Sequence, residues 1–126
     1  MYSPAMNAYN QYKTTSVQTA DPGKLLLMLY DGLLLSLRKG KQAVEAGKLK
    51  EAHQNLIKAQ DIVSELMSTL KMEYEISQNL FQLYDYWKRR LVEANVKKDT
   101  QIIDEVLSLV RELRAVWAQA AGAEDD

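Results

Sequence analysis

Apolar residues recur along this chain at steps of three and four through four consecutive stretches, and strand-like alternation is absent. That spacing predicts helices with one buried face. The first stretch follows Asp21 and Pro22, a helix start in which the carboxylate accepts from orphan N–H groups and proline gives up a donor that had no partner. Its set Leu26, Leu29, Tyr30, Leu33, Leu37, Val44 runs to Gly47, a natural stop. Leu49, Ala52, Leu56, Ala59, Val63, Leu66 and Leu70 wind one seam along a second helix. A third carries Ile76, Leu80, Leu83, Trp87, Leu91 and Ala94, ending near Asn95 to Lys98. The fourth, with Asp99 or Thr100 as its cap, carries Ile102, Val106, Val110, Leu113, Trp117 and Ala120 before Gly122 and an acidic end.

The helices predicted are therefore about 22–46, 48–71, 74–96 and 100–120, within a bundle over residues 21–121 and an acidic tail at 122–126. At 1.5 Å per residue each is about 35 Å long, and the joins are a few residues, which forces antiparallel neighbours. The expected fold is all-α: an antiparallel up-down-up-down four-helix bundle with Trp87 and Trp117 as its largest core pieces. Residues 1–20 fall outside it. There Met6, Tyr9 and Tyr12 recur at steps of three, a one-turn apolar ridge too short to fold alone, so the segment is expected to fold back as a short N-terminal cap or lid, with a disordered tail as the alternative.

Helix one has more apolar surface than a bundle core uses. With Leu25 at zero and 100° per residue, the core stripe spans roughly 40° to 140°, Leu27 and Leu34 fall near 190°, and Met28 and Leu35 near 290°. Phe81, Val92, Tyr84 and Tyr86 on helix three lie off or at the margin of its seam, as do Ile57 and Ile62 on helix two and Ile103 and Leu107 on helix four. Folded monomers seldom expose so much apolar surface without a partner for it. Periodicity leaves two occupants open, a second copy of the chain or a foreign segment. If Leu27 and Leu34 form an outer docking ridge, Leu34→Asp should spare the fold while Leu33→Asp destroys it.

Composition narrows the function further. The 126 residues, 47 % hydrophobic and 26 % charged, suit one folded domain. Sixteen basic and seventeen acidic residues leave a formal charge of −1, which argues against nucleic acid as a partner. The chain has no cysteine, no secretory leader pattern and no apolar run of membrane-spanning length, so a cytoplasmic protein without membrane insertion is expected. Di-metal bundles need paired Glu-x-x-His elements, and His53 is the only histidine. With no phosphate loop or nucleophile motif either, no enzyme, metal site or cofactor is expected.

Read in order, the chain resembles the flagellin-specific secretion chaperones, the FliS family. The likeness rests on Tyr9-x-x-Tyr12-Lys13, Thr19-Ala20-x-Pro22, Met28-Leu29-Tyr30-Asp31-Gly32, Glu51-Ala52-His53, Ala59-Gln60-x-Ile62, Asn79-Leu80-x-x-Leu83-Tyr84-x-Tyr86, Arg90-Leu91-x-x-Ala94-Asn95 and Trp117. It departs at Gly40, where alanine is usual, and at Lys71 to Glu75, where glycines are common, so helices two and three are expected to run on before turning. The resemblance implies a bacterial cytoplasmic chaperone, monomeric when free. It would bind the disordered C-terminal segment of flagellin, stop premature polymerisation and deliver it to the flagellar type III export gate, with a co-chaperone or regulator as a further partner. Of the surplus apolar residues, Leu27, Leu34, Phe81 and Tyr84 are the expected flagellin contacts; the resemblance adds Tyr30, Asp31, Asn79, Arg90 and Asn95 as polar ones, each with a helix–helix hydrogen bond inside the bundle as its alternative. Met6, Tyr9 and Tyr12 would be displaced by the cargo. The rival reading is a homo-oligomeric structural or adaptor bundle.

Overall fold

A computed structural model describes the backbone of residues 22–125, all of it in four helices and their joins. We label them α1 (Pro22–Glu45), α2 (Leu49–Ser68), α3 (Glu75–Lys97) and α4 (Thr100–Asp125). The residues read above as a cap, Met6, Tyr9 and Tyr12, lie outside the described residues. The helix starts agree with the sequence reading to within a residue. Two joins show why the chain turns where it does. Gly47, at φ +72°, closes α1: its N–H reaches the Val44 carbonyl and the Lys48 N–H reaches that of Ala43, so two orphan carbonyls are satisfied around a left-handed residue. Lys98 takes the same role after α3 at φ 51°, with the Asp99 N–H on the Ala94 carbonyl. Asp99 then caps α4 through its Oδ1, which accepts from the N–H of Gln101 at 2.8 Å.

Two boundaries differ from expectation. α2 stops at Ser68 and α3 begins at Glu75, so the residues expected to extend both helices form a six-residue join, 69–74. The Ser68 and Thr69 hydroxyls donate back to the carbonyls of Glu65 and Leu66, the local competition by which such side chains end a helix. At the other end α4 does not stop at Gly122 but continues to Asp125.

Two ion pairs fix the direction of α4 against α1. Asp31 meets Arg114 and Lys41 meets Asp104, so ten residues forward on one helix match ten backward on the other. α1 packs on α2 and α4, and α3 packs on the same two, which leaves α1 opposite α3 and α2 opposite α4. This is the antiparallel up-down-up-down bundle. Its centre is aromatic. Trp87, Trp117, Tyr30 and Tyr84 are all buried, and Tyr30 meets both indoles edge-on at 6.2 and 6.3 Å between ring centres. The Tyr30 and Tyr84 hydroxyls hydrogen-bond across the bundle diagonal at 2.8 Å. Burial, then the neighbouring Tyr84, pushes the Tyr30 phenol well above its ordinary value.

Candidate functional site

The bundle presents four seams between neighbouring helices, and they are not alike. On the α1–α4 seam Arg114 donates to both carboxylate oxygens of Asp31, at 2.9 and 3.2 Å, and Lys41 pairs with Asp104 at 2.8 Å. On the α3–α4 seam Glu105 accepts from the Tyr86 hydroxyl and from Arg90, whose other nitrogen reaches Glu93. The Tyr86 hydrogen bond and then Arg90 hold the Glu105 carboxyl below the usual glutamate range. Both of α4's seams are strapped by charge.

The seams of α2 are not. Among the described residues the α2–α3 seam carries a single side-chain hydrogen bond, between Asn95 Nδ2 and His53 Nδ1 at 2.9 Å. Lys98 Nζ, which can only donate, sits 2.9 Å from Asn95 Oδ1 and so turns the amide N–H₂ toward His53. His53 therefore accepts at Nδ1. This bond also sets the register of the two antiparallel helices: Ile57, one turn beyond His53, stands level with Leu91 and Val92, one turn before Asn95. Counting 100° per residue from Asn95, the side of α3 turned toward α2 continues outward through Lys88, Phe81 and Val92. Ile57 and Phe81 are each 38 % exposed, Val92 45 % and Val96 79 %. Phe81 to Val96 spans about 22 Å of helix. The result is an elongated strip, apolar at Ile57, Phe81, Val92 and Val96, with no ion pair across it among the described residues.

The expected contact residues divide sharply. Phe81 is on this strip. Asn79 is exposed, but its direction on α3 is that of Tyr86, toward α4. Tyr84 is not at a margin; like Tyr30, it is an interior residue of the aromatic centre. Leu34, expected on an outer ridge, is 5 % exposed and belongs to the core. The reason is angular: near 190° on α1 a side chain points at α4, whose Arg114 and Asp104 reach α1 on that side, so Leu27 is half-buried and Leu34 is covered. The ridge facing out is the one near 290°, where Met28 and Leu35 are 59 % and 48 % exposed. Leu34→Asp would therefore not spare the fold. Asp31, Arg90 and Asn95 all have partners within the bundle: Arg114, the Glu105 and Glu93 carboxylates, and His53 with Lys98. Leu49, placed on the α2 seam by periodicity, is exposed at the helix start, while Ile103 and Leu107, read as surplus, are buried.

The family model for "Flagellar protein FliS" matches residues 5–124. This chain belongs to the FliS family. Relatives include the flagellar secretion chaperone FliS of Bacillus subtilis, 45 % identical over 94 % of this chain and 89 % of that protein. That of Vibrio cholerae is 36 % identical over 91 % and 87 %. A solved flagellar chaperone from bacteria superposes with a TM-score of 0.76 at 22 % identity, covering 94 % of this chain and 98 % of its own, which shows the shared fold. Family membership identifies the chain as a flagellar secretion chaperone, and such chaperones are not a class of enzyme. No group of side chains suited to a metal ion occurs among the described residues, and none of their helices is long and apolar enough to cross a membrane.

Proposed function

We propose that the cargo of this chaperone is the disordered C-terminal segment of flagellin, and that it is held on the open α2–α3 strip. The single observation that carries the site is the contrast of seams. Ile57, Phe81, Val92 and Val96 stay exposed along the seam without an ion pair, whereas apolar residues beside the strapped α1–α4 seam are covered. An amphipathic segment laying residues at i, i+3, i+4 and i+7 into such a strip buries apolar surface on both partners. Coverage of that segment keeps it from pairing with other flagellin molecules before export. The chaperone acts in the cytoplasm as a monomer, without cofactor or catalytic step, and passes its cargo to the flagellar type III export gate.

Titration calorimetry with a flagellin C-terminal segment should give one-to-one binding at micromolar affinity or tighter, with a negative heat-capacity change from apolar burial. Light scattering of the free chain should give a monomer. A stable dimer that binds no flagellin segment would favour the homo-oligomeric reading instead.

A further inference from the structure

The other open seam of α2, against α1, has the opposite chemistry. Near the α1–α2 turn lies a groove of about 540 Å³ lined by Lys39, Lys48 and Lys58, with Gln42, Gln54, Asn55 and Glu51 between them. None of the three lysines has an ion pair among the described residues, although Lys41, on the same stretch, is held by Asp104. The groove is the focus of a local excess. Between Arg38 and Lys58 the chain has six basic and two acidic residues, a charge of +4 within a molecule whose formal total is −1. Three of those basic residues and one acidic residue, Glu51, line the groove itself, so the low net charge conceals a local excess of +2 there. Three lysines without an ion pair line one concave place, and an acidic partner would meet a positive charge at each.

We infer that this groove docks an acidic polypeptide segment of a second partner protein, separately from the apolar strip on the far side of α2. Its dimensions argue for a peptide rather than a small anion. Gly40 approaches Leu56 and Gly32 approaches Ile62 across the seam, a register that sets Lys39 opposite Lys58, while Lys48 is ten residues away along α2, about 15 Å. One phosphate or carboxylate cannot touch all three, but carboxylates spaced over two to three turns of a helix can. The amides supply donors and acceptors for a backbone: Asn55 Nδ2 already donates to the Glu51 carbonyl at 2.9 Å, which leaves its Oδ1 free to accept. The chain's own acidic end is excluded as the occupant in the same molecule. α4 begins beside Lys41 and runs 26 residues away from it, about 39 Å.

The probe is a fluorescein-labelled twelve-residue helical peptide with four glutamates on one face, compared with its glutamine analogue by fluorescence anisotropy. The glutamate peptide should bind the full chain at least tenfold more tightly than the analogue, and weaken about tenfold between 50 and 300 mM salt. A Lys39→Gln/Lys48→Gln/Lys58→Gln variant should lose at least tenfold, while Lys97→Gln, on another face, should lose less than twofold. The triple variant should keep its melting temperature and its affinity for the flagellin segment, which separates this groove from the cargo site. Equal binding of the two peptides, unchanged binding by the triple variant, tighter binding of a 20-base-pair DNA duplex, or self-association abolished by the triple variant would each overturn the inference.

Discussion

α4 and α2 stand opposite each other in the same bundle and bury similar apolar faces, yet their flanks have different fates. Carboxylates and guanidinium groups of α4 reach across both of its seams, to Asp31 and Lys41 on one side and to Tyr86 and Arg90 on the other. Along the α1–α4 seam these side chains cover the apolar edge beneath them, where Leu34 is buried and Leu27 half-buried, as amphipathic side chains do at a bundle margin. α2 sends no charged side chain across to a neighbour among the described residues, and its flanks stay open, one apolar and one basic. Strapped seams serve the fold. Open seams are where a partner can bind without first displacing an existing interaction.

The largest test of this contrast compares one buried and one exposed leucine on the same helix. Leu34→Asp places an unpaired carboxylate in the core and should cost about 4 kcal/mol or more, enough to unfold much of the protein. Leu35→Asp, one residue on, should change stability by less than about 1 kcal/mol. Urea denaturation of both variants decides it, and equal destabilisation would erase the distinction between α1's two ridges. Next in size is Tyr30→Phe. It removes the 2.8 Å Tyr30–Tyr84 hydrogen bond across the bundle and should cost about 1 kcal/mol, with flagellin-segment affinity unchanged. A loss of affinity without a loss of stability would return Tyr30 to the cargo-contact role that the family resemblance implies.

Smaller effects are expected at the straps. Glu105→Ala should cost about 0.5–1 kcal/mol once solvent screening is allowed for, and should leave cargo binding unaltered. Because the folded Glu105 carboxyl lies below its unfolded value, the strap contributes fully above the ordinary glutamate range and is lost as pH falls through the lowered folded value. Denaturation of the parent chain at pH 6 and pH 3 should therefore differ by more than that of Glu105→Ala. An identical difference in both would show that Glu105 plays no part in acid sensitivity.

The fold was largely legible because its determinants are local. Pro22, Gly47 and Asp99 punctuate the chain, and three- and four-residue steps between them identify the buried face of each helix. What periodicity left open was the width of that face. Leu34 and Leu35 are both apolar and both off the central stripe, and only the position of α4 decides that one is covered. Tyr84 was misplaced for the same reason, since its burial depends on Tyr30 across the diagonal. The family blocks containing Tyr30, Asp31, Arg90 and Asn95 point to residues that matter, but in this structure all four have partners within the bundle. Ile57 and Val92 were visible as apolar residues out of phase, although their alignment required the His53–Asn95 register. The basic groove was written in the sequence between Arg38 and Lys58, hidden by a total charge near zero.

The central claim is that flagellin docks on the unstrapped apolar seam between α2 and α3. The direct test is calorimetric titration of the flagellin C-terminal segment into the parent chain and into Ile57→Asp/Val92→Asp. Two charges at half-exposed positions should shift the urea midpoint little, while affinity should fall at least tenfold because the apolar anchors must then dock against carboxylates. A double variant that folds normally and binds the segment with the parent's affinity would contradict the account and place the cargo on another face of the bundle.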